Sequence, residues 1–250
     1  MVVGAADEEA DMLGTKHFLN KGGRKTHLVI VGEPTSLDLH TASKGDVYCE
    51  ITTVGKAPHA SVPEQGINAV YKMQKVGEKI QTLNQALRAK SHPLLGNPTA
   101  TVGTTEGGTV TCAVPAFCRI TIDRRTLPSE DAEVGRQEIQ KLLDKLAATD
   151  HEFKAGSRVT IEAAPMEISK DEPLVVTACA AINDVMHEDR DVVGLSALSG
   201  ASNFVRAGIP AVVLGPGSLA MAHKPDEFVP INEVTKATAT YAATAARPLA

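Results

Sequence analysis

Asp46-Val47-Tyr48-Cys49-Glu50-Ile51-Thr52-Thr53-Val54 alternates apolar and polar side chains and is rich in β-formers, the pattern of a strand with one buried face. The period then changes. Between residues 67 and 90, Val70, Met73, Val76, Ile80, Leu83 and Leu87 recur at three- and four-residue steps, which predicts one long amphipathic helix. Residues 98–105 and 113–125 are the next predicted strands, with Glu106-Gly107-Gly108 as the turn between them. Ser129 is predicted to cap a helix running to about residue 148, with acids in its first turn. A last strand is expected over 157–163. The order βαββαβ is the split arrangement of a ferredoxin-like sandwich, so residues 45–163 read as a domain of their own.

The flanks read differently. Met1-Val2-Val3-Gly4-Ala5-Ala6 is a short apolar run ending in Asp7-Glu8-Glu9, which predicts a buried strand with a functional loop at its end. Residues 11–20 have helical character, stopped by Lys21-Gly22-Gly23. Residues 27–31 form a second apolar run, closed by Gly32-Glu33-Pro34. Beyond Pro165 come a helix at 173–187, a strand at 192–195, a short helix at 201–207, a buried strand at 210–214 ending in Gly215-Pro216-Gly217, and a closing helix at 231–246. This alternation predicts an α/β domain in two pieces, 1–44 and 164–250.

Composition narrows the function. The 250 residues are 43% hydrophobic and 22% charged, as in an ordinary globular protein, and long enough for a large core. A net charge of −5 argues against nucleic acid as a partner. No apolar run is long enough for a membrane span, and the first residues carry no basic, then apolar, signal pattern. Cytoplasm is therefore the expected compartment. The four cysteines include no CxxC pair and read as buried or free thiols.

Several residues bear chemistry. Asp7-Glu8-Glu9 is either solvated surface or a ligand site at a strand end, where α/β proteins bind ligands. Glu33 is either an exposed turn residue or a second carboxylate brought to the same edge. His59, in Pro58-His59-Ala60-Ser61, and His223, in Ala222-His223-Lys224-Pro225-Asp226-Glu227, each read as a loop histidine or as a functional one. Arg125 is either a carboxylate-binding fork or half of an ordinary salt bridge. No P-loop, GxGxxG or GxSxG is present.

Taken together, these segments resemble the zinc-dependent amidohydrolase and exopeptidase family of acetylornithine deacetylase, succinyl-diaminopimelate desuccinylase, aminoacylase and glutamate carboxypeptidase. The resemblance is carried, in family order, by Ala6-Asp7-Glu8-Glu9, Val31-Gly32-Glu33-Pro34-Thr35, Lys44-Gly45, Pro58-His59-Ala60-Ser61 with Gly66-Ile67-Asn68-Ala69, Glu106-Gly107-Gly108, Val114-Pro115, Asp123-Arg124-Arg125-Thr126-Leu127-Pro128, and Gly215-Pro216-Gly217 with His223 and Glu227. It implies a zinc-exopeptidase-like catalytic domain, partial in this chain, with an inserted lid and dimerisation domain. It implies Glu8 as general base, Glu9 and His223 as ligands of one metal and Glu33 as a ligand of the other, and His59 as an oxyanion donor reaching a partner subunit's site. Arg125, Gly215 and Gly217 would bind substrate. The implied cofactor is zinc, with cobalt or manganese as substitutes. The implied partners are a small N-acyl amino acid or dipeptide and a second copy of the chain.

The family also carries a His-x-Asp motif and a bridging Asp before its Glu-Glu pair; here that pair stands at residues 8 and 9. A catalytic zinc usually has three protein ligands. Three readings follow. The chain is the C-terminal portion of a longer hydrolase, a shortened enzyme recruiting ligands such as Asp7, Asp11 or a partner's, or a non-catalytic dimerisation or small-molecule-binding remnant. The first is preferred. It predicts metal occupancy below full, little activity alone, and an exposed edge on the α/β sheet. Two further departures bear on the substrate. Cys112 stands where the family has Asn, and Asn203, in Gly200-Ala201-Ser202-Asn203, where it has Asp.

Overall fold

The computed structural model describes residues 1–10, 12–22 and 26–247. The elements in chain order are α1 (Leu13–Asn20), β1 (Val29–Val31), β2 (His40–Ser43), β3 (Gly45–Val54), α2 (Ala69–Leu87), β4 (Thr99–Gly107), β5 (Phe117–Thr126), α3 (Ala132–Thr149) and β6 (Lys154–Ala163). They continue with β7 (Met166–Glu167), α4 (Pro173–Met186), β8 (Val193–Leu195), α5 (Ala201–Arg206), β9 (Ala211–Val213) and α6 (Ile231–Ala246). The chain forms two compact units, Met1–Lys44 with Ala164–Ala250, and Gly45–Ala163.

The Gly45–Ala163 unit is a four-stranded antiparallel sheet ordered β4-β5-β3-β6, the ferredoxin-like order, with both helices on one face. β3 and β5 pair continuously from Gly45↔Thr126 to Val54↔Phe117. Alternation sends Cys49, Ile51, Cys118, Ile120 and Ile122 to the helix side. There they pack against Met73, Val76, Ile80 and Leu87 of α2 and Ile139, Leu143 and Leu146 of α3. Asn68 caps α2, its Oδ1 accepting the N–H groups of Val70 and Tyr71.

The other unit has a five-stranded mixed sheet. β1 runs parallel to β9, β9 meets β2 at His40↔Val213, and β2 pairs with β7 antiparallel and β8 parallel. β9 and the residue after it show why it is a core strand. Val212 and Leu214 pack with α4 and α6, while Ala211 and Val213 pack with α5. β1 is the end strand of this sheet among the described residues.

Some expectations are corrected. Residues 1–6 form no strand, and Met1 and Val2 are almost fully exposed. The chain folds back through left-handed Asp7 and Met12, and the Ala6 and Asp7 carbonyls accept the N–H groups of Gly14 and Met12. That backbone therefore serves the start of α1 and not a ladder. The 11–20 helix begins at Leu13; Asp11 and Gly23 lie outside the described residues. Glu106 and Gly107 belong to β4, and the turn comes at Gly108, whose φ is +75°. β5 starts at Phe117, after Pro115, which has no N–H to give a ladder. β2 and β7 were not foreseen, since His-Thr-Ala-Ser lacks an apolar pattern.

The cap of α3 is Asp131 and not Ser129. The reason is a buried ion network. Arg124, with no exposed surface, donates from Nε and Nη2 to Glu138 at 3.0 and 2.9 Å, and from Nη2 to Glu130 at 3.0 Å. Lys90 adds a contact to Glu130 at 2.5 Å, and the Leu127 N–H donates to it at 3.1 Å. Drawing Glu130 inward folds 127–130 into a turn and delays the helix. Burial works to raise the Glu130 pKa, but Lys90 and Arg124 hold it below the ordinary value. Its contribution to stability is present above the ordinary carboxylate pKa and is lost as pH falls. We expect Arg124→Met to destabilise this unit by about 3–5 kcal/mol, because it strands a buried carboxylate. Glu130→Leu added to it should recover much of the loss. Urea unfolding midpoints check this, and a single variant within about 0.5 kcal/mol of the parent contradicts it.

Candidate active site

The site is built where β1 and β9 end side by side. The Leu214 N–H donates to the Val31 carbonyl, carrying the parallel pairing one residue further. The two loops are then stitched together. Thr35 Oγ1 donates to the Gly215 carbonyl at 3.2 Å and accepts the Gly215 N–H at 3.0 Å. The N–H groups of Ser36 and Leu37 donate to the carbonyls of Gly217 and Gly215. A Cβ at Gly215 would lie 2.4 Å from the Glu33 carbonyl oxygen, so only glycine permits this approach. Gly217 has φ +86°, and its N–H donates to Glu233 of α6 at 2.8 Å. Glu33 and the Gly-Pro-Gly turn are thereby fixed at the carboxyl ends of adjacent parallel strands, where such sheets bind ligands.

Glu8, Glu9 and His223 join Glu33 there. Glu9 Oε2 lies 3.7 Å from His223 Nε2, and both side chains are about three-quarters exposed, at 76% and 73%. His223 is in the left-handed region, with φ 62°, and its N–H donates to Glu227 at 3.1 Å. Glu33 is half-buried. Burial, then the charges of Glu8 and Glu9, push its pKa up to about 7. Glu8 is raised by burial and by Glu9, with His223 opposing. Three carboxylates thus repel one another beside an imidazole. Oxygen and imidazole donors of this kind suit a divalent cation, and the uncompensated charge is what a cation relieves. The fit is one of donor chemistry. Among the described residues, no three His, Cys, Asp or Glu side chains gather into a ligand set. Asp7 is exposed, and Asp11 is outside the described residues.

His59 and Arg125 belong to the Gly45–Ala163 unit. His59 is on an exposed loop; its Nδ1 accepts the Ser61 N–H at 3.2 Å and lies 2.8 Å from Ser61 Oγ. In the neutral ring this puts the proton on Nε2, which is left as a donor. Arg125 is heavily engaged. It meets Asp46 at 2.5 Å and Asp123 at 2.8 Å, donates to Tyr48 Oη at 2.7 Å, and stacks 5.5 Å from the Tyr48 ring centroid. Burial raises the Asp46 pKa to about 6, with Arg125 opposing. The positioning roles of Thr35, Glu233 and Glu227 were not predicted. For Glu233 and Glu227 they depend on contacts to backbone N–H groups that no side-chain pattern encodes.

The chain has relatives among known proteins. Residues 41–151 match a family model described as a peptidase dimerisation domain. The chain is 30% identical over 235 residues to an acetylornithine deacetylase of Pasteurella multocida, covering 91% of this chain and 59% of that protein. It is 31% identical over 232 residues to the Proteus mirabilis acetylornithine deacetylase, covering 91% and 58%. The chain therefore spans under three fifths of the length of these relatives. Its fold is similar to that of a tripeptidase from Staphylococcus aureus, with TM-score 0.79, 20% identity and coverage of 96% and 61%. It is also similar to an M20 family metallo-carboxypeptidase from Sulfolobus solfataricus, with TM-score 0.74, 18% identity and coverage of 92% and 65%. Among the described residues, no helix is long and apolar enough to cross a membrane.

The carboxylate crowding has a measurable consequence. In metal-free protein, the Glu33 carboxyl carbon should titrate near pH 7, well above the ordinary value of 4.5. The folded state then holds its proton more tightly than the unfolded state, so stability falls as pH rises from about 4.5 to about 7. Glu33→Gln should flatten that slope. Carbon-13 NMR and unfolding at stepped pH test this, and a Glu33 midpoint at the ordinary value would falsify it.

Proposed function

We propose that this chain, which belongs to the zinc-dependent amidohydrolase and exopeptidase family, takes part in metal-dependent hydrolysis of the amide bond in N-acyl amino acids or dipeptide-like substrates. The supporting observation is the crowding of Glu8, Glu9, Glu33 and His223 at the ends of β1 and β9. Glu9 and His223 are the residues that would hold one metal, and Glu33 the other. Zinc bound there supplies Lewis acidity toward the scissile carbonyl; cobalt or manganese would suit the same donors.

The chain's own groups do the rest. Glu8, with its raised pKa, accepts a proton from the attacking water and returns it to the leaving amine. Gly215 lets its loop pack against the Glu33 backbone, and Gly215 and Gly217 present that loop to the substrate. His59, with the proton on Nε2, donates to the developing oxyanion of a neighbouring subunit's substrate. Arg125 receives a substrate carboxylate in exchange for one of its present carboxylate partners. The working form is a homodimer through the Gly45–Ala163 unit, in the cytoplasm. A second reading is a non-catalytic dimerisation or small-molecule-binding module. It is favoured by the ferredoxin-like unit having its own closed core while the described ligands stop short of three.

The experiment is zinc stoichiometry and amine release from N-acyl amino acids on the same sample. For this chain alone zinc below full occupancy and slow amine release are expected, and Glu8→Gln should lower the remaining kcat by about 10²–10⁴-fold and leave zinc content unchanged. His223→Ala should lower zinc content itself. Light scattering at micromolar concentration should return twice the chain mass. A dimer that holds no zinc and releases no amine would favour the second reading.

A further inference from the structure

The guanidinium of Arg125 is engaged from two sides, and the two sides differ. One side is a buried anchor. Asp46 Oδ1 lies 2.5 Å from Arg125 Nη1, and the Asp46 side chain is 4% exposed. Tyr48 Oη accepts from Arg125 Nη2 at 2.7 Å and is itself hydrogen-bonded to Asp46. The other side is Asp123, whose side chain is 39% exposed. Its two oxygens accept from Nε at 2.8 Å and from Nη2 at 3.0 Å. That is the fork geometry in which an arginine holds a free carboxylate.

The two carboxylates are held by different means. Asp46 comes from β3, directly across the ladder from Arg125. Taking the arginine from it would leave a buried charge without its partner. Asp123 stands two residues before Arg125 in β5, so both side chains rise from one face of the sheet. When released it turns into water and gives up only a part-exposed ion pair. Thr99 and Thr101 of β4 stand opposite Arg125 and Asp123 and add no charge. The cluster therefore has two carboxylates for one cation, and the surplus carboxylate is the exposed one. Arg119, further back in β5 on the same face, is engaged in another way. Its carboxylates, Glu50 and Glu106, come from the neighbouring strands as ordinary cross-strand pairs.

We propose that Asp123 is an internal competitor of the substrate: its carboxylate takes the place on Arg125 that a substrate carboxylate needs and must swing out before that carboxylate binds, while Asp46 and Tyr48 keep the guanidinium in position. The proposal rests on the assignment of Arg125 to a substrate carboxylate and deepens it. Binding at Arg125 is then an exchange of one carboxylate for another, and Asp123 sets the affinity together with Arg125. A ligand without a carboxylate has nothing with which to displace Asp123. Giving up an exposed two-bond pair of this kind corresponds to about three- to tenfold in affinity.

N-acetylglycine and its uncharged amide, N-acetylglycinamide, titrated into the full chain at fixed ionic strength, test this by NMR of the Arg125 Nε–H and the Asp123 carboxyl carbon. N-acetylglycine should move both signals along one saturable curve, and the amide should move neither. Asp123→Asn, which keeps the shape and removes the charge, should tighten N-acetylglycine at Arg125 by about three- to tenfold. Tyr48→Phe keeps the ring against the guanidinium but loses the anchoring hydroxyl, and should weaken it by about threefold. Glu50→Gln removes a charge from the same face away from Arg125 and should change the affinity there by less than about twofold. Unchanged or weaker binding in Asp123→Asn overturns the proposal, because Asp123 is then a fixed support of Arg125. Equal tightening by Glu50→Gln overturns it as well, since the effect is then general charge. So does an Arg125 signal that moves without Asp123, or no signal moving. Amine release on the same samples decides the hydrolysis reading separately: release with Arg125 unmoved leaves that reading standing, and exchange at Arg125 without release leaves the competitor role standing.

Discussion

The site depends on a three-residue parallel ladder between β1 and β9, which joins parts of the chain about 180 residues apart. Val29, Ile30 and Val31 pair with Ala211, Val212 and Val213, and the Leu214 N–H extends the pairing. Three residue pairs are a weak ladder by themselves. It is made secure by burial of β9 on both faces, and by Thr35 and Gly215 exchanging hydrogen bonds just past the strand ends. Glu33 and the Gly-Pro-Gly turn are positioned directly by that junction. Glu33 follows β1 by two residues, and the Gly-Pro-Gly turn follows β9. A Cβ at Gly215 would break the approach by meeting the Glu33 backbone, while leaving every proposed ligand side chain chemically unchanged.

The Gly45–Ala163 unit obeys a different constraint. Its long, regular β3–β5 pairing and two amphipathic helices make a core of ordinary aliphatic packing. Placing Arg124 inside that core, on the helix side of a strand, imposes a requirement for two buried or half-buried carboxylates. The 127–131 turn is shaped to supply one of them. Adjacent Arg125 points to the other face of the sheet, where Asp46, Asp123 and Tyr48 engage it. Neighbouring arginines in one strand therefore serve separate networks because the side-chain period of a strand is two.

That difference explains what was legible in the sequence. The alternation of 46–54 and the helical spacing of 67–90 report burial directly, and the βαββαβ order followed from them. The β9 strand and α6 were equally plain, because continuous apolar residues and a long polar-faced helix leave few alternatives. β2 was hidden because Thr41, Ala42 and Ser43 are buried while being small or polar. The run at 1–6 misled for the opposite reason: its apolar side chains have no partner strand among the described residues. At the candidate site, Glu8, Glu9, Glu33 and His223 were singled out by type and by family order, and the structure brings them together. The contacts orienting them were not legible, since Glu233 and Glu227 act on backbone N–H groups, and the meaning of an N–H depends on where the loop goes.

The two charged regions of this chain can be set against each other. Around Arg124, every buried charge finds an opposite one, and Glu130 is held below the ordinary carboxylate pKa. Around Glu33, charges of one sign accumulate, and the pKa rises to about 7. The same chain, with the same residue types, satisfies its carboxylates in one place and leaves them in conflict in another. Folding alone does not favour the second arrangement, because mutual repulsion and burial both oppose it. On the proposed reading, such conflict at the ends of parallel strands, beside an imidazole, is what a guest bringing positive charge would relieve. The strongest sign of function here is therefore a cost that the fold leaves uncompensated, located where the topology would put a ligand.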